Sequence, residues 1–198
     1  MKSFLKKIAE LLDDSFFRFF VKLFYPQYRR PRFGYLKNYQ LLYRYFFYQK
    51  IIGLNRNVQW PVHRLSTIIS PELIVKGICC DPGDNPGIFI NASGGLKMGN
   101  NVNIGPNTII VTANHDKYDH RKVTDLKGVQ IGNNVWIGAN CSILAGAQIG
   151  DEVTIGAGCV ISGAIPSKTT VTVNTSINLN IKPKSGDYLW DCTLEKLI

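Results

Sequence analysis

Aliphatic side chains recur every six residues through the middle of this 198-residue chain. They stand at Met98, Ile104 and Ile110, and again at Ile131, Ile137, Ile143, Ile149, Ile155 and Ile161. Written in sixes, the sequence reads MGNNVN and IGPNTI, then IGNNVW, IGANCS, ILAGAQ, IGDEVT, IGAGCV and ISGAIP. The second position is usually glycine. The fifth is small or branched: Val102, Thr108, Val135, Cys141, Ala147, Val153 and Cys159. A weaker form of the same phase runs upstream through Val62, Ile68, Ile74 and Cys80. A period of six follows no helix face of 3.6 residues, and six residues cannot hold a strand plus a crossover helix. Each unit is therefore a short strand with a tight corner, where Gly and Asn supply left-handed backbone. Three units close a triangular coil, and coils stack by backbone pairing at about 4.8 Å. The predicted fold is an all-β solenoid whose aliphatic positions form interior ladders.

The count fails between Ile110 and Ile131, where "VTANHDKYDHRKVTDLKG" makes a gap of 21 residues and carries two of the chain's three histidines. A solenoid of six-residue steps has flat faces. An inserted loop, here residues 112–129, is an economical way to raise polar groups off such a face and enclose a substrate.

The formal charge of +9 lies almost wholly at the N-terminus. Residues 1–60 hold 12 Lys and Arg against 3 Asp and Glu, whereas residues 61–198 hold 11 of each; 17 of the 22 aromatic residues also fall in the first 60. The chain thus divides into a basic, aromatic segment (1–56), a neutral repeat domain (57–173) and a tail (174–198). In the first segment Leu5, Ile8, Leu12, Phe16, Phe19 and Leu23 follow one helix face, which Pro26 ends. A second helix is predicted over roughly 36–52. Two readings of these helices stay open: packing on the repeat domain or a neighbouring subunit, or lying in an anionic membrane interface with Lys and Arg at the head groups. No recognition motif for nucleic acid accompanies the charge.

The opening residues resemble a signal peptide only as far as Lys7. Glu10, Asp13 and Asp14 interrupt the apolar run, and no run of about 20 apolar residues exists to span a bilayer. The five cysteines have no disulfide-like spacing, so a reduced, cytoplasmic setting is expected; the membrane reading of the basic helices would add peripheral placement on the inner face of the cell membrane.

The segment "VQIGNNVWIGANCSILAGAQIGDEVTIGAGCVISGAIP", with "TANHD" before it, resembles the hexapeptide-repeat acyltransferases. Within them it is most similar to the sugar O-acetyltransferase branch of galactoside, maltose and capsule-type enzymes. The resemblance covers roughly residues 57–173. It implies a left-handed parallel β-helix, acetyl-CoA as acyl donor, no metal, a homotrimer, and a saccharide acceptor in surface polysaccharide synthesis; the basic N-terminus would suit a lipid-linked one. The histidine of the "TxxHD" pattern, His115, becomes the general base; a neutral imidazole suits removal of a hydroxyl proton. Asn91, Asn114, Asp116 and His120 are the candidates for acceptor binding, with Asp116 able either to orient His115 or to bind a sugar hydroxyl. Trp136, Ala139, Ala157, Ser162 and Lys168 are the candidates for the CoA groove. The chain departs from the pattern at Gly163, where relatives carry Lys, and in "VNTSINLNI", where they carry a second CoA motif; Lys182 and Lys184 join Lys168 as candidate phosphate contacts. An amino sugar as acceptor, a zinc lyase using His63, His115 and His120, and a non-catalytic scaffold are the alternatives.

Overall fold

The structure, a computed structural model, describes residues 2–30 and 36–173. The tail (174–198), with Lys182 and Lys184, lies outside the described residues.

The repeat winds a parallel β-helix of the left-handed hexapeptide type with three sheets. Sheet A stacks β1 (Thr67–Ile69), β3 (Phe89–Asn91), β6 (Ile109–Val111), β11 (Ser142–Ile143) and β14 (Val160–Ile161). Sheet B stacks β2 (Ile74–Lys76), β4 (Leu96–Met98), β9 (Val129–Ile131), β12 (Gln148–Ile149) and β15 (Ala164–Ile165). Sheet C stacks β5 (Val102–Ile104), β10 (Val135–Ile137), β13 (Thr154–Ile155) and β16 (Thr170–Val171). The predicted ladders are interior: Ile110, Ile143 and Ile161 in sheet A, Met98, Ile131 and Ile149 in sheet B, and Ile104, Ile137 and Ile155 in sheet C are all buried in one core. Each such side chain taken out of water is worth about 1.5–3 kcal/mol. The small fifth positions are buried with them.

Corners follow the chemistry expected of them. Asn101, Asn107, Asn134 and Asn140 sit at φ 55–57°. Along the B–C edge a polar ladder ties coil to coil: the backbone N–H of Asn100 donates to Asn133 Oδ1, that of Asn133 to Asp151 Oδ1, and that of Asp151 to Ser167 Oγ. Glycine at the second position is a matter of space. A Cβ on Gly138 would stand 2.6 Å from the backbone nitrogen of Ala157 in the next coil, which no side chain permits.

Upstream the simple phase is corrected. Ile68 pairs with Ile90 and Ile90 with Ile110, steps of 22 and 20 residues, while Ile74 pairs with Leu96 and not with Met98. The residue in register with Met98 is Lys76. The first coils therefore carry small insertions, and their regularity comes from burial of alternate residues, not from constant spacing. Lys76 can occupy an inward place because the end of the solenoid is plugged. Its Nζ donates to the carbonyl of Gln27 at 2.7 Å and pairs with Asp81 Oδ1 at 3.0 Å. Arg30 closes the group through Asp81 (2.6 Å) and Asp84 (3.0 Å). Burial pushes the Asp84 carboxyl up to about 6.

The plug is helical. α1 (Lys2–Leu12) runs through one wide π-type turn (Asp13–Phe17) into α2 (Arg18–Phe24). α3 (Asn38–Leu41) continues as a π-helical stretch, Leu42–Ile52, that stops at Gly53. Asp13 joins the two, its carboxylate accepting from the backbone N–H groups of Asn38 and Tyr39. Val21, Tyr25, Leu41 and Tyr45 form a small core of their own. Gln49 fastens this unit to the solenoid, donating to the Trp60 carbonyl and accepting from the Val62 N–H. No described helix is long and apolar enough to cross a membrane.

Candidate active site

The repeat break is a β-hairpin thrown out from the A–B edge, between β6 and β9. Val129 already belongs to β9, where it pairs with Leu96 and is buried. The hairpin strands are β7 (Ala113–His115) and β8 (Val123–Leu126), antiparallel with a bulge between Asn114 and His115. Thr112 anchors the root. Its buried hydroxyl donates to the Asn91 carbonyl at 2.9 Å and accepts from the Gly94 N–H at 2.7 Å. Its own carbonyl accepts from Lys127 N–H, and the Lys127 carbonyl accepts from Gly146 N–H, so root and exit are pinned to three successive coils.

Aspartates build the tip. Asp116 Oδ1 accepts from the backbone N–H groups of Tyr118 (2.7 Å) and Asp119 (2.9 Å), which holds its carboxyl below the usual range. Asp119 is buried and is gripped by Arg121 through Nε at 2.9 Å and Nη2 at 3.0 Å, bringing its carboxyl down to about 2. Asp116 Oδ1 thus forms the turn at the tip. His115 Nδ1 lies 2.6 Å from the carbonyl oxygen of His120. A carbonyl only accepts, so Nδ1 carries the proton. In the neutral imidazole the lone pair then resides on Nε2. The side chain is exposed. An imidazole in this state can accept a proton at Nε2 without first exchanging tautomers.

The other candidates divide among the three edges of the prism. Asn91 ends β3, directly beneath Val111, and its Oδ1 accepts from the N–H and hydroxyl of Ser93. Asn114 stands opposite Asp125 in the hairpin. With His115, Asp116 and His120, these form one group on the A–B edge. Ser162 follows β14 and shares that edge, higher up the stack. Ala139 and Ala157 lie one above the other on the C–A edge, following β10 and β13, and exposed Trp136 projects from sheet C beside them, flanked in register by Asn103 and Thr154. Lys168 is a corner residue of the B–C edge, at φ 59°. One chain therefore does not bring Trp136, Ala139, Ala157 or Lys168 to the histidine edge. Gly163 has φ +90°, backbone that a residue with a Cβ would follow only under strain.

His63 lies near the start of the solenoid, its Nδ1 accepting from Leu65 N–H. Among the described residues no group of three His, Cys, Asp or Glu side chains is placed to hold a metal ion. Sequence reasoning missed Thr112, Asp119 and Arg121 as the framework of the hairpin. The signal was the pair of aspartates three apart, since Asp binds backbone N–H groups two and three residues on.

Comparison with known proteins bears on the coils next to this hairpin. Residues 128–163 match the family model described as bacterial transferase hexapeptide, six repeats. These coils carry the transferase hexapeptide repeat. Among solved structures, the chain is similar to a hexapeptide-repeat acetyltransferase from Vibrio cholerae complexed with acetyl-CoA (25% identity, 55% of this chain and 63% of that one, TM-score 0.44). It is also similar to a galactoside acetyltransferase in complex with coenzyme A (26%, 55% and 58%, TM-score 0.46). A third is a maltose O-acetyltransferase from Clostridium difficile (23%, 83% and 83%, TM-score 0.43). The match spans less than two thirds of the first two proteins' length. No curated protein sequence matches the chain.

Proposed function

We propose that this protein transfers an acetyl group from acetyl-CoA to a hydroxyl of a saccharide, with His115 as general base. The observation that carries the reading is the 2.6 Å contact from His115 Nδ1 to the His120 carbonyl, which leaves Nε2 as the basic atom of an exposed imidazole. The transferase hexapeptide repeat beside it supports the same chemistry. His115 takes the acceptor's hydroxyl proton as that oxygen attacks the thioester carbonyl. It returns the proton to the sulfur as the C–S bond breaks, so the imidazole ends neutral. Asn91, Asn114 and His120 stand nearest to receive the sugar, and Asp116 serves by holding the tip.

The division of candidates among edges supports a site formed between copies in a homotrimer. The histidine edge of one copy would face the C–A edge of the next, where Ala139 and Ala157 leave room for the pantetheine arm and Trp136 flanks it. Surface polysaccharide synthesis, with a lipid-carried acceptor, is the setting this reading favours. The test is CoA release from acetyl-CoA across a panel of neutral and amino sugars, with mass spectrometry of the products. Ester formation that disappears in His115→Ala supports the proposal. Amide formation on amino sugars alone would move it to N-acetyl transfer, and undiminished turnover in His115→Ala would remove the base.

A further inference from the structure

The helical unit leaves its most regular apolar face uncovered. Phe4, Leu5, Ile8, Leu11, Leu12, Phe16, Phe19 and Leu23 are all exposed, Leu11 by 70%, Phe4 by 66% and Phe19 by 61%. These residues recur at the three- and four-residue steps of one helix side. The contacts that seat the unit come from other side chains: Val21 and Leu41 in its small core, Phe24 against Phe46 at 4.6 Å, and Asp13, Gln49 and Arg30 in the polar joints. The second helix does the same on its outer side, where Tyr39, Tyr43, Phe47 and Ile51 are exposed at steps of four, Tyr43 by 91%. The helical unit does pack on the repeat domain through Gln49, but its apolar stripe faces away from that contact.

Charge identifies the occupant. Lys6, Lys7, Arg18 and Lys22 are exposed on the same two helices. Of the three acidic residues there, Asp13 is turned inward onto Asn38 and Tyr39, and Glu10 and Asp14 are half-buried. A second copy seated face to face would bring these cations against their own counterparts, at a cost. A bilayer with anionic head groups accepts both features: aromatic and aliphatic side chains enter the acyl boundary, and the lysines and arginines meet phosphate. With no described helix able to cross a membrane, the fit is to its surface.

We infer that α1 and α2, with the outer side of the second helix, dock the protein on an anionic lipid surface. The inference stands apart from the acetyl-transfer reading. Its test is co-sedimentation of the full chain with vesicles of phosphatidylcholine alone or mixed with phosphatidylglycerol, at low and high salt. Binding to the mixed vesicles, weakened by salt, is expected. Leu11→Ser combined with Phe19→Ser lowers the partition coefficient about tenfold or more while circular dichroism stays unchanged. Lys6→Gln and Lys7→Gln each lower it about fivefold at low salt. The inference is overturned by failure to bind anionic vesicles, by binding indifferent to the apolar pair, or by binding equal on the two lipid compositions. It is equally overturned if sedimentation velocity shows the apolar pair dissolving a defined oligomer, which would make the face a contact between copies.

Discussion

The coils from Met98 to Ile165 and the helices from Lys2 to Ile52 both repeat apolar residues at fixed spacing, and they dispose of them in opposite ways. In the coils the repeated residue is the buried one, because a triangular coil has a single inside and each sheet alternates across it. In the helices the repeated residues of the first face stay at the surface, and the unit is held by side chains off that stripe, together with hydrogen bonds from Asp13 and Gln49. Apolar periodicity reports a face that must leave water. It does not say whether protein or lipid receives that face.

The difference can be sharpened at several points. The largest change should come from the hairpin, which neither region's periodicity describes. His115→Ala is expected to lower acetyl transfer by about 10²- to 10⁴-fold while leaving the thermal midpoint in place, measured by CoA release and calorimetry on the same sample. Loss of folding in that variant would mean the coils depend on the hairpin. Next comes the interior: Ile143→Ala, a fully buried side chain, should cost about 2–5 kcal/mol in chemical denaturation. The joint between the regions should show in pH. Because burial raises the Asp84 carboxyl from its ordinary 3.8 to about 6, the folded state holds a proton that the unfolded chain has released. Its contribution to stability is therefore greatest below about 4, declines as pH rises to about 6 and is level above. Asp84→Asn should erase that decline in a stability–pH series. The smallest effect belongs to the helices: Phe19→Ser should change stability by no more than about 0.5 kcal/mol. A cost approaching that of Ile143→Ala would show that the exposed face is buried in solution.

Much of this is legible in the sequence. The three-sheet solenoid followed from the period alone, since six residues admit a strand and a corner and nothing larger. The helices were legible as helices, and Asn at the corners was expected from its tolerance of positive φ. In the first coils Val62, Ile68, Ile74 and Cys80 are buried as their phase implies, but the coil spacing is not constant. Lys76 takes an inward place there, held by nearby Asp81 and by the carbonyl of distant Gln27, a link no local pattern shows. In the hairpin, His115 stood out by residue type. The atom that orients it did not, because a backbone carbonyl such as that of His120 carries no sequence signal. The roles of Asp116 and Asp119 in the turn were readable in principle from their spacing. The separation of Ser162, Ala157 and Lys168 onto different edges required the coil register.

The central claim is that one copy supplies the base and the next copy supplies the donor groove. Subunit mixing tests it most directly: His115→Ala, which lacks the base, and Ala157→Trp, which fills the C–A edge, are each purified, then unfolded and refolded together. Each alone should be nearly inactive in acetyl-CoA-dependent CoA release. The mixture should regain about a quarter of the native rate, as random assembly of a cyclic oligomer pairs intact edges in that proportion. A mixture no more active than its two parents would contradict a site shared between copies.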